Sequence, residues 1–118
     1  TLLVVPAAEG MLNIADILGG APNPVIITAF RYTHLSEAIE AMVAHTNLHV
    51  ETHQINSPDF LHVLGDHVGL DRVIYGSNAP LSYMGSALLP ILNSDMTEEQ
   101  KQAVLGGNLK HLLEANAL

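Results

Sequence analysis

Four short apolar runs, spaced roughly 22 to 25 residues apart, constrain the fold more than any other feature of this chain. They are Leu2 to Val5, Val25 to Ala29, Leu48 to Glu51 and Val73 to Tyr75, all rich in Val, Ile and Leu. The interval is that of successive βα units, and runs this continuous predict strands covered on both faces.

A helical pattern follows each run. Ile14, Ile17 and Leu18 recur at helical spacing until Gly19 and Gly20 stop the first segment. Leu35, Ile39, Met42 and Val43 predict one apolar face of the second helix, with Glu37 and Glu40 turned elsewhere. For the third, Ser57 is the expected N-cap, Pro58 suits the first helical position and Asp59 suits the helix dipole. Its buried stripe is expected to be Leu61, Leu64 and Val68, ending at Gly69. A fourth helix is expected from near Ser82 with Leu88, Ile91 and Leu92 inward and a break or kink at Pro90. A last segment begins at Thr97, where Gln100 completes a capping box and Val104 and Leu105 face the core. Gly106 and Gly107 are expected to interrupt it before Asn108 caps a final turn or two carrying Leu109, Leu112 and Leu113.

Alternating strands and helices imply right-handed crossovers and a parallel α/β sheet. A four-stranded doubly wound sheet would satisfy the pattern. A (β/α)₈ TIM barrel takes about 250 residues, so four units in 118 residues match half of one. Residues 1–118 then form a single region with two unpaired parallel edges. These are expected to be completed by a missing N-terminal half, a partner chain or a symmetric copy.

Composition narrows the function classes. A hydrophobic fraction of 48% supports a filled core, and no apolar stretch approaches the length of a membrane span. Twelve acidic against four basic residues, a net charge of −8, argue against nucleic acid as a partner, since few cations are present to replace its counterions. Without cysteine, any metal must be held by His, Asp or Glu, and a cytoplasmic location is the expectation. The chain starts at Thr1 and shows no basic stretch leading into an apolar one, so the expectation is a truncated or processed start rather than a signal peptide.

The segment from Asp71 to Leu113, reading DRVIYGSNAP and then TEEQKQAVLGGNLKHLL, resembles the final strand and closing helices of the amidohydrolase-related family of metal-dependent TIM-barrel hydrolases. That family's wording is a strand ending in GSD-x-P followed by a helix with I-L-x-x-N-A-x-x-L. LLVVPAAEG, NPVIITAF and NLHVETHQ resemble its strands five, six and seven. The resemblance implies strands five to eight plus closing helices, and in the family one or two divalent metals such as zinc or manganese. These are held by an H-x-H pair on strand one, a His on each of strands five and six, and an Asp on strand eight. Here Pro6 stands at the strand-five His position, no His occurs near Ala29 to Arg31, and Asn78 replaces the Asp. An Asn cannot accept a proton at neutral pH and is a much weaker ligand, so the resemblance implies a metal site impaired or absent.

The strand ends are where such barrels work. Glu51 and His53 alternate along an extended segment and supply an acid and a base at one mouth. Alternatively Glu51 bonds to a neighbouring loop and His53 is partly exposed. Asn78 is a candidate by position, or else a turn residue before Pro80. Arg31, with Thr28 and Ser77 at neighbouring mouths, is a candidate for holding a substrate carboxylate, or else Arg31 anchors a loop. His34, His45, His49, His62, His67 and His111 show no H-E-x-x-H spacing, and Ser77 lacks the second Gly of a nucleophile elbow. The reading implied is an amidohydrolase-like protein acting on a small carboxylate or lactone-like molecule. Its rivals are a metal hydrolase in which Glu51 and His53 replace lost ligands, and a non-catalytic binding or assembly module that keeps the barrel shape.

Overall fold

The computed structural model describes residues 1–55, 57 and 59–116. Four parallel strands run in sequential order: β1 (Leu3–Pro6), β2 (Val25–Thr28), β3 (Leu48–Glu51) and β4 (Val73–Ile74). They are crossed by α1 (Met11–Leu18), α2 (Leu35–Ala44) and α3 (Phe60–His67), and β4 is followed by α4 (Met84–Leu92), α5 (Glu98–Gln102) and α6 (Asn108–Ala115). The parallel β/α partial barrel expected from the repeat is therefore the architecture observed. Register pairs Val5 with Ile27 and Val50 with Val73, so the alternation of side chains divides the sheet into two faces. Val25, Ile27, Leu48, Val50 and Val73 are fully buried under the helices with Met11, Phe30, Met42, Phe60 and Leu64. The other face carries Val4, Ile26, His49, Glu51 and Ile74. Ile26 and Ile74 are buried there, apart from the helix-packed core, while Val4 is 61% exposed.

Several helix faces differ from expectation. In α2 the buried residues are Leu35, Ala38, Ala41 and Met42, and Val43 is exposed, because small alanines let the helix lie close to the sheet. Ile17 of α1 and Leu92 of α4 are also exposed, and α4 buries Ala87 and Ile91. Pro90 does not end α4, which continues to Leu92, and the helix starts at Met84 rather than near Ser82. The α3 segment starts at Phe60 with Asp59 as its N-cap, Ser57 accepting the Phe60 N–H through its carbonyl at 3.3 Å. Pro58 lies outside the described residues. Gly69, with φ +96°, closes α3 by donating to the Leu64 carbonyl at 3.1 Å.

The capping box at Thr97 and Gln100 forms as expected, with bonds of 3.2 and 3.0 Å. Gly106 and Gly107 do not break the helix. Residues Ala103–Gly107 widen into a π-helical turn and α6 continues from it for eight residues. Asn108 is not a cap, since its side-chain amide donates to the carbonyls of Leu70 (2.7 Å) and Val73 (2.9 Å).

Of the two free sheet edges expected, one is covered. Arg72 and Ile74 direct their carbonyls to Val50 and Thr52 of the β3 side, which leaves Val73 and Tyr75 addressing the opposite edge. There the Val73 carbonyl accepts from Asn108, and the Tyr75 N–H donates to Val104 in the π turn at 2.9 Å. Among the described residues no strand pairs with the outer edge of β1. Leu3 donates to Pro24 on the β2 side, so Val4 and Pro6 face outward along the ladder, and Pro6 has no N–H to offer there.

Candidate functional site

The polar residues singled out from sequence gather at the C-terminal ends of β2, β3 and β4. Glu51 ends β3 on the face turned away from the helices and is 9% exposed. Two residues on, His53 folds back onto it. Its backbone N–H donates to Glu51 Oε1 at 2.7 Å, and its ring Nδ1 pairs with Glu51 Oε2. A carboxylate only accepts, so Nδ1 is the donor of this contact, and the ring's Nε2 is not engaged by Glu51. Both side chains are close to nine-tenths buried.

The segment after β3 is fixed to its neighbour. Thr52, buried, donates its N–H to the Ile74 carbonyl at 3.0 Å, and its hydroxyl accepts the Gly76 N–H at 3.3 Å. Gly76 in turn lies directly against the Glu51 carboxylate. Thr52 does not stand out in the sequence. Gly76 matches the Gly of the GSD-x-P spelling, and a glycine immediately after a strand marks close backbone approach as readily as a turn.

Arg31 follows β2, where Ala29 adopts φ +52° and Phe30 is fully buried. Its Nε donates to Gln54 Oε1 at 2.9 Å, its backbone N–H donates to His34 Nδ1 at 3.0 Å, and the His34 N–H returns a bond to the Arg31 carbonyl. Arg31, Tyr32, His53 and Gln54 thereby line one open depression of about 510 Å³. Thr28 ends β2 half-buried, and Ser77 and Asn78 follow β4; none of the three belongs to that lining.

Asn78 is exposed with φ +55°, a left-handed conformation that Asn tolerates. Its amide donates to Ser82 Oγ at 3.4 Å, its carbonyl accepts the Ser82 N–H at 3.0 Å, and Ser77 Oγ accepts the Ala79 N–H at 3.2 Å. Asn78 and Ser77 therefore shape the turn that follows β4.

Among the described residues no three His, Asp or Glu side chains converge. Of the close His–carboxylate pairs, Glu51 with His53 is the buried one and His62 with Asp66 is exposed; both Glu51 carboxylate oxygens are engaged by His53 itself. The described residues therefore offer no set of side chains that would hold zinc or manganese. At the opposite end of the sheet lies a titratable group with no motif to announce it. His49 is 9% exposed, and burial, reinforced by the Arg72 guanidinium, holds its pKa below the ordinary 6.5, with Asp71 opposing.

No protein-family model and no curated protein matches this sequence. Two solved structures share its fold. A 2,6-dihydroxybenzoate decarboxylase, complexed with 2,6-dihydroxybenzoate, superposes with a TM-score of 0.61 at 13% identity over 80% of this chain and 36% of its own. The 5-carboxyvanillate decarboxylase of Sphingomonas paucimobilis gives 0.62 at 18% identity over 78% of this chain and 34% of its own. At such identities the likeness is one of fold, and the chain spans about a third of either structure.

Proposed function

We propose that this chain forms strands five to eight of an amidohydrolase-like barrel that acts on a small carboxylate or lactone-like molecule without the family's usual metal site. Glu51 and His53 are its acid–base pair and Arg31 is its carboxylate anchor. The observation that carries this reading is the buried Glu51–His53 contact at the mouth of β3, beside a depression that His53 shares with Arg31. Glu51 fixes the imidazole tautomer, which leaves Nε2 to exchange a proton with a bound molecule. Arg31 keeps guanidinium donors beyond the Nε bonded to Gln54, and a carboxylate takes such donors in pairs. The two structures of like fold are decarboxylases of carboxylated aromatic compounds, which favours a carboxylate over a lactone. Asn78, which cannot take up a proton at neutral pH, argues against water activation from that position.

The test is turnover of aromatic carboxylates, 2,6-dihydroxybenzoate among them, and of simple lactones by the full-length protein. His53→Ala is expected to lower kcat/KM by about 10²- to 10⁴-fold, and Arg31→Ala to raise KM. Stoichiometric zinc or manganese bound through this half would overturn the metal-poor reading.

A second reading has its own support in the turn after β4, where Asn78 bonds Ser82 through both its amide and its carbonyl while Ser77 Oγ accepts from Ala79, which gives Asn78 a structural role. On that reading the chain is a binding or assembly module. It predicts that the same carboxylates raise the melting temperature while none is turned over.

A further inference from the structure

The Glu51–His53 pair is held in place by something neither residue supplies. Gly76 does not owe its identity to backbone conformation, since the positive-φ glycines among the described residues are Gly10, Gly20 and Gly69. What it lacks is a Cβ, and a methyl placed there would overlap the Glu51 carboxylate and lie 2.8 Å from its Cγ. The carboxylate thus occupies the space that any other residue at position 76 would fill.

We infer that Gly76 is a positioning residue: its bare α-carbon is the seat that presses the Glu51 carboxylate against His53. This deepens the acid–base role proposed for the pair and rests on it for its functional meaning, but not for its geometry. The Gly76 backbone is itself anchored, because its N–H donates to Thr52 Oγ1 at 3.3 Å and the Tyr75 N–H before it donates to Val104. The strand cannot easily retreat from a new methyl group. Glu51 is the softer partner, being the end of a flexible side chain, yet it can leave only by giving up both of its contacts with His53. A substitution at 76 is therefore converted into loss of the pair rather than into general disorder of the sheet.

The geometry predicts a specific non-additivity. In the full-length protein, Gly76→Ala is expected to move the ¹⁵N resonance of His53 Nδ1 to the position it takes in Glu51→Ala. In the Glu51→Ala background, where the seat is vacant, the same glycine substitution is expected to move it no further and to leave the melting temperature unchanged. An unaltered His53 spectrum in Gly76→Ala would overturn the inference. If the single variant does not fold, the double variant decides: Gly76→Ala/Glu51→Ala folding like Glu51→Ala supports the seat, and its failure to fold gives Gly76 another purpose. Because these readouts are spectroscopic and thermal, absence of turnover in every variant would remove the catalytic proposal and leave the positioning role standing.

Discussion

His49 illustrates how a side chain without a motif acquires a measurable property from its position. It lies on the face of β3 opposite the helix-packed core, and both its burial and the nearby Arg72 disfavour the imidazolium. In the unfolded chain it titrates near its ordinary value of 6.5, so on acidification the unfolded state takes up the proton first. Stability from this residue is complete above that value and is lost as pH falls below it. Melting temperatures measured from about pH 7.5 down to about pH 5 should therefore decline, and His49→Gln should flatten that decline. An equally steep decline in the variant would show that other groups carry it. At this scale the sequence revealed part of the site. The nearness of Glu51 and His53 was readable from their spacing, although they meet because His53 folds back in the turn after β3 and not because the strand continues extended. The seat at Gly76 was not, since it depends on a residue 25 positions away that only the β3–β4 pairing brings near. The turn bonds of Asn78 match one of the two readings that its place before Pro80 allowed, because family-like spelling fixes its place in the chain and not the direction of its amide.

Among the elements, the strands were legible to within a residue, and β3 matched fully, because near-continuous runs of Val, Ile and Leu have few other uses in a short segment. Helices were placed correctly but not always turned correctly. Counting large apolar residues assigned Val43 inward, whereas Ala38 and Ala41 make the close packing that selects the buried face of α2. The same counting missed what Asn108 does. Its amide ties the π turn and α6 to two carbonyls near β4, a bond pattern that no cap would make. Replacing Asn108 by Ala strands both carbonyls, and a loss of about 2 kcal/mol is expected in urea unfolding. Asn108→Asp, which accepts but cannot donate, should be no better than Ala. Rescue by Asp would mean that those two bonds are not what Asn108 contributes.

For the molecule as a whole, no helix is long and apolar enough to cross a membrane among the residues described, and among them no strand pairs with the outer edge of β1. Val4 is 61% exposed there, and Pro6 withdraws one of the donors that an incoming strand would need. Val4→Lys should lower the apparent mass of the 118-residue chain in size exclusion if this edge recruits a neighbour. An unchanged profile would place association elsewhere. The spacing of the repeats foretold the parallel sheet and its sequential order, but not that the C-terminal segment folds over the far strand, because that depends on the π turn presenting Val104 to Tyr75. A neighbouring strand can pair at β1 as the chain stands, whereas pairing at β4, which closure of a barrel requires, first displaces the bonds from Asn108 and Val104, so the two edges do not take partners alike.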